Sequence, residues 1–231
     1  MLESLRAEVL EANLELVRRG LVIYTFGNAS GISREHGLVV IKPSGVPYDK
    51  MTPADMVITD LDGRIVEGSL RPSSDLATHV LLYRHFPSIG GVAHSHSRHA
   101  TAWAQAGIEI PCFGTTHADY FCGAVPVTAP LAPEEIHSEY EANTGLAIIR
   151  RLEGYEPLAC PAVLVTGHGP FCWGESVTEA VHNAVIVEEL AAMAWQTLTI
   201  NPAAVPISDA LRDKHHYRKH GPTATYGQPG K

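Results

Sequence analysis

No stretch of the chain approaches the roughly 18 uninterrupted apolar residues that a membrane-spanning helix requires. The most apolar segment, around residues 185–195, is broken by Glu188 and Glu189. A basic run long enough to track a phosphate backbone is missing as well. Lys+Arg 17 against Asp+Glu 25 leaves a formal net charge of −8, so neither nucleic acid nor a membrane is expected as a partner. Cysteine is scarce: Cys112, Cys122, Cys160 and Cys172 form no C-x-x-C pair in 231 residues, which excludes a disulfide scaffold. The first residues, Met1-Leu2-Glu3-Ser4-Leu5-Arg6, have neither a basic nor an apolar leader region. Four reduced thiols in a cytoplasmic protein are the expectation. Internal repeats and linkers are lacking too, so residues 1–231 are expected to form one α/β domain, with a polar tail from about residue 202 to 231.

Hydrophobic residues make up 45% of the chain, enough to bury a sizeable core, and histidine is abundant at thirteen. The patterning predicts helices over about 2–19, 74–83, 98–105, 133–152 and 176–198. Strands are expected at 21–26, 38–41, 89–96, 124–128 and 162–166. A hairpin around Asp62-Gly63 is expected to join residues 56–59 and 65–66.

His94-Ser95-His96 stands at the exit of an apolar strand, where period-two alternation puts both imidazoles on one face, within reach of a single cation. Alone, such a pair also fits two packed or surface histidines. His168 strengthens the metal reading, because it lies between Gly167 and Gly169 just after another buried strand. Asp75, at a helix start, is either a fourth, oxygen ligand or a carboxylate favoured by the helix dipole. The run His94-x-His96-x-Arg98-His99 nearly matches the H-x-H-x-D-H motif of metallo-β-lactamase-like hydrolases. Arg98 stands where that motif needs its carboxylate, and the match fails there.

Gly27-Asn28, Ser44-Gly45 and Ser73-Ser74 are turns of small residues whose N–H groups and hydroxyls, with Lys42, could cradle a phosphate. Asp119, in the loop-like Thr115-Thr116-His117-Ala118-Asp119-Tyr120, is a candidate acid/base or a solvated loop residue. His215, Arg218, His220 and Tyr226 fall in the tail, which is either disordered or folded over a site or a neighbouring subunit.

In combination, these motifs resemble the class II aldolase/epimerase family over nearly the whole chain, and within it the pentulose-phosphate 4-epimerases. The resemblance implies a three-layer α/β/α sandwich around a mostly antiparallel sheet, assembled as a homotetramer with active sites between subunits. It implies one divalent metal per subunit on Asp75, His94, His96 and His168; Zn²⁺ is expected first, with Mn²⁺ or another first-row ion as the alternative. Gly27, Asn28, Lys42, Ser44, Gly45, Ser73 and Ser74 would hold the phosphorylated sugar, with His215 and Arg218 at further positions of the site. Asp119 and Tyr226 would be the acid/base pair.

The implied activity is the interconversion of L-ribulose 5-phosphate and D-xylulose 5-phosphate, a step of arabinose catabolism. Since C4 of the substrate is not next to the C2 ketone, simple deprotonation cannot invert it, and the family cleaves and remakes the C3–C4 bond instead. The alternatives are an aldolase that releases its fragments and an epimerase for a related pentulose phosphate. Aldolases of the family carry Glu where this chain has Asp75, which favours the epimerase. Adducin-like binding modules share the fold but lack the metal histidines.

Overall fold

The computed structural model describes residues 2–220 and 224. Its strands are β1 (Asn28–Ser33), β2 (Leu38–Ile41), β3 (Val57–Asp60), β4 (Ile65–Glu67), β5 (Gly91–His94), β6 (Ala162–Val165) and β7 (Gly169–Gly174). They form one sheet in the order β4-β3-β2-β1-β5-β7-β6, and each neighbouring pair is antiparallel. The helices are α1 (Glu3–Arg18), α2 (Leu76–His85), α3 (Arg98–Ala106), α4 (Thr115–Ala118), α5 (Pro133–His137), α6 (Tyr140–Arg151), α7 (Val177–Ile200) and α8 (Asp209–His220).

Alternation along the strands divides the core in two. Val39 and Ile41, Val57, Val92, Val163 and Val165, and Phe171 and Trp173 pack with α2 and α6. Their neighbours Val40, Ile58, Ala93, Leu164 and Cys172 pack with α1, α3 and α7 on the other face. The result is the expected three-layer sandwich, and the antiparallel character extends across the whole sheet. Ser176 begins α7 as expected, its hydroxyl accepting from the Glu179 N–H at 3.2 Å.

Several local expectations give way to tertiary structure. Residues 21–26 are not a strand: Ile23, Tyr24 and Phe26 are exposed, and the strand starts instead at Asn28, where a turn was expected. There the buried Asn13 side chain holds it, accepting from the Ala29 N–H at 2.9 Å and donating to the Ala29 carbonyl at 3.0 Å. Residues 124–128 make only isolated bridges, Val125 to Ile110 and Val127 to Leu164. The helix expected over 133–152 is two helices, because Ser138 breaks from helical geometry at φ −103°, ψ −122°. The short run Phe171-Cys172-Trp173, hidden behind a Gly-Pro turn signal, is the middle of β7.

The polar stretch 209–220 is helical and is anchored by one carboxylate. Asp119, at the end of α4, accepts from His215 Nδ1 at 3.1 Å and from Arg218 Nη2 at 3.0 Å. Lys219 Nζ lies 3.6 Å away, and His220 Nε2 donates to the Asp119 carbonyl at 2.8 Å. Burial pushes the Asp119 carboxyl up, but the Arg218 and His215 hydrogen bonds, then the charges of Lys219 and Arg218, outweigh it and hold it below its ordinary value.

Two outcomes are expected. A Cβ on Gly91 would lie 2.3 Å from Val177 Cα and 2.4 Å from its N, where only a shift of α7 makes room. Gly91→Ala should therefore cost about 1–3 kcal/mol in denaturant unfolding; an unchanged midpoint would contradict this packing. Since the folded Asp119 carboxyl titrates below its ordinary range, its contribution is complete above a pH of about 4 and is lost as pH falls through the lower folded value. Asp119→Asn should free α8 at neutral pH, raising amide exchange over 209–220 and leaving the sheet unchanged; equal exchange in both proteins would refute the anchor.

Candidate metal and phosphate site

The sheet register places the site. His94 ends β5, opposite Asn28 in β1 and Phe171 in β7, on the face that α2 covers. Phe171 stacks on the His94 ring with centroids 4.1 Å apart. The His94 Nδ1–H donates to the Pro170 carbonyl at 2.9 Å, which leaves Nε2 as the lone-pair nitrogen. His96 Nε2 lies 3.1 Å from that atom, and the His96 ring is stacked on Phe26 at 6.0 Å. His168 follows β6 and completes the triangle, its centroid 4.7 Å from His94 and 4.9 Å from His96.

One ligand atom from each histidine lies within 4.8 Å of the others. Two nitrogens sharing a tetrahedral Zn²⁺ at about 2.0–2.1 Å would stand about 3.3 Å apart, close to the His94–His96 separation. Burial lowers the pKa of all three imidazoles, that of His168 to about 4. They are neutral at pH 7, the form that ligates a cation. The donor set fits a divalent metal.

Asp75 immediately precedes α2. Its Oδ2 accepts from Asn28 Nδ2 at 2.6 Å. Burial raises its carboxyl, but His94, His79, the Asn28 hydrogen bond and His168 bring it below its ordinary value. Gly27 makes the approach of β1 possible: its φ is +98°, and a Cβ there would lie 2.9 Å from the His94 carbonyl. One helical turn beyond Asp75, the fully buried His79 is pushed down to about 3 by desolvation. Its Nδ1 meets Ser30 Oγ at 2.7 Å, and Ser30 Oγ meets the Tyr83 hydroxyl at 2.8 Å. This polar chain lies beneath the carboxylate and had no signal in the sequence beyond a histidine on an inward helix face.

Gly27, Asn28, Lys42, Ser44, Gly45, Ser73 and Ser74 line the same cavity, of about 360 Å³, as Asp75 and the three histidines. Lys42 is buried, donates from Nζ to the Pro43 carbonyl at 3.1 Å and lies 4.8 Å from the Tyr48 ring centroid; burial lowers its ammonium pKa. Two N–H groups expected to be free are used inside the protein. Ser44 N donates to the Arg71 carbonyl and Ser73 N to that of Lys42, both at 2.9 Å. These bonds fasten the two serine turns to each other and leave their hydroxyls for a ligand.

Asp119, His215 and Arg218 are brought together with one another at the α4–α8 contact and are not among the residues lining this cavity. Tyr226 lies outside the described residues. Tyr140 and Glu141 line the cavity without having been singled out in the sequence. Both stood in the middle of an expected long helix, and only the break at Ser138 turns them into a helix start.

The Class II Aldolase and Adducin N-terminal domain model matches residues 7–195. A curated relative from Salmonella paratyphi C (strain RKS4594), L-ribulose-5-phosphate 4-epimerase UlaF, is 58% identical over 227 residues, covering 98% of this chain and 100% of its own. The protein of the same name from Salmonella typhi is 57% identical over the same span. Among solved structures, an L-fuculose 1-phosphate aldolase superposes with a TM-score of 0.79 at 24% identity, covering 93% of this chain and 95% of that one. The L-fuculose-1-phosphate aldolase of Thermus thermophilus does so with a TM-score of 0.69 at 26% identity, over 86% and 97% of the two chains. The chain that closes three histidines and a cradle of serines around one cavity is thus a member of the class II aldolase family.

Proposed function

We propose that this protein is an L-ribulose-5-phosphate 4-epimerase, interconverting L-ribulose 5-phosphate and D-xylulose 5-phosphate by cleaving and remaking the C3–C4 bond. The supporting observation is that a metal-competent histidine triad and a set of hydroxyls and a lysine suited to a phosphate line one cavity. The relatives at 57–58% identity carry the name of that activity.

His94, His96 and His168 would hold one divalent cation, Zn²⁺ first among the candidates, with Asp75 beside them but outside the cluster that the three histidines form. When bound, the cation supplies Lewis-acid stabilisation of the negative charge that develops on the C2 and C3 oxygens. Asn28 orients Asp75 through the bond to Oδ2. The hydroxyls of Ser44, Ser73 and Ser74, with the Lys42 ammonium, hold the phosphate while the C3–C4 bond is open. That grip is essential, because inversion requires the aldehyde fragment to turn over without leaving.

Asp119 and Tyr226 act as the acid/base pair, one on each face of C4. A carboxylate held low by Arg218 and His215 is ionised at neutral pH, as a base for the C4 hydroxyl proton must be. Asp119 is not in the cavity of its own histidines, and in the homotetramer we propose it would reach the sugar of a neighbouring subunit. The exposed apolar groove of Trp103, Ile108, Trp195 and Leu198 is consistent with burial in such an assembly.

Release of the fragments, the aldolase reaction, is the second reading; the structural neighbours named aldolases favour it, and the short Asp75 argues against it. Zn²⁺-loaded protein given L-ribulose 5-phosphate should yield D-xylulose 5-phosphate by NMR, with no free glycolaldehyde phosphate. Accumulating aldehyde would establish the aldolase, and a lack of turnover would exclude this sugar. His96→Ala should lose bound metal and turnover together; wild-type turnover in that variant would remove the three histidines from the mechanism.

A further inference from the structure

We propose that Tyr140 is a positioning residue for the metal centre, which fixes the ring of His168 and selects Nε2 as its ligating nitrogen. The inference rests on the metal-dependent reading above. His94, the buried one of the three histidines, is fixed twice, by the Pro170 carbonyl on Nδ1 and by the face of Phe171. His168 sits in the turn between two glycines and meets only the edge of Phe171, at a centroid distance of 5.9 Å. The hydrogen-bond partner of its ring is the Tyr140 hydroxyl, 3.3 Å from Nδ1.

An imidazole whose Nδ1–H donates to that oxygen carries its lone pair on Nε2, and a ligating histidine is normally held by such a bond on its other nitrogen. The Tyr140 hydroxyl is well suited to accept it. It stands at the start of α6, 3.3 Å from Nδ1.

The anchor itself is rigid. Tyr140 opens α6, where its carbonyl accepts from Thr144 Oγ1 at 2.9 Å. The next carbonyl, of Glu141, accepts from Thr78 Oγ1 of α2 at 2.5 Å. Further along, Gly145 packs so closely on α2 that a Cβ would meet Leu81 Cδ1 at 3.1 Å. Helix α6 is thereby locked to the helix whose start carries Asp75. One helix pair presents the carboxylate directly and controls a histidine indirectly.

The test uses full-length protein stripped of metal and titrated with Zn²⁺ against a competing chelator. Tyr140→Phe removes only the oxygen and should weaken Zn²⁺ binding by roughly 10–100-fold, while the unfolding midpoint of the metal-free protein stays unchanged. Equal affinity in the two proteins would overturn the inference. Independently of the variant, imidazole ¹⁵N NMR of Zn²⁺-loaded wild type should find His168 protonated on Nδ1 and ligating through Nε2; the reverse tautomer would overturn it as well. Failure of the wild-type chain to bind Zn²⁺ would instead overturn the metal reading on which the inference stands, and is distinguished by affecting both proteins alike.

Discussion

The antiparallel register of β1, β5 and β7 is the constraint on which everything else depends. His94 is opposite Asn28 on one side and Phe171 on the other, so one row of the sheet supplies a candidate metal ligand, the residue bonded to the Asp75 carboxylate and the ring that stacks on the candidate ligand. A slip of one residue in either pairing would turn His94 to the α7 face and dissolve the row. The register is secured from both layers. Asn13 of α1 grips β1 next to Asn28, and the glycines at the start of β5 let α7 lie directly on the backbone. Stability and site geometry are therefore the same set of contacts.

The electrostatics follow from that placement. An imidazole at a strand end beneath a helix is buried enough to be neutral at pH 7 yet open at one nitrogen, which is the condition for ligation. The Asp75 carboxyl lies below its ordinary value despite its burial, and the Asn28 amide donates to its Oδ2. Asp119 is lowered too, by a different route, with Arg218, His215 and Lys219 drawn from a helix about a hundred residues later in the chain.

The residues that line the candidate site were more legible in the sequence than the architecture around them. The spacing of His94 and His96, the glycines flanking His168 and the paired serines all lie in short local patterns, and the fold brings them to one cavity. The strand at 28–33 was not legible, since Asn, Ala, Ser and Gly carry little strand propensity and only the Asn13 bonds and the neighbouring strands make it one. Residues 21–26 read as a strand because their composition is apolar, yet no sheet neighbour is offered to them. Tyr140 was hidden by a helix break that a single serine creates, and α8 by a polar composition whose order comes from one distant aspartate.

The two helices that meet at the cavity have an electrical consequence for capture of a sugar phosphate. Helices α2 and α6 both begin there, so their positive ends converge on a small region of a chain whose net charge is −8. A dianion is repelled at long range and attracted only within the last turn of approach. Salt screens the first effect at a distance of about 10 Å and reaches the second less, because Asn28, Lys42 and Ser73 of the proposed cradle are buried. Association of such a substrate should then quicken as ionic strength rises, the reverse of the behaviour of an enzyme that draws its anion in through a basic surface.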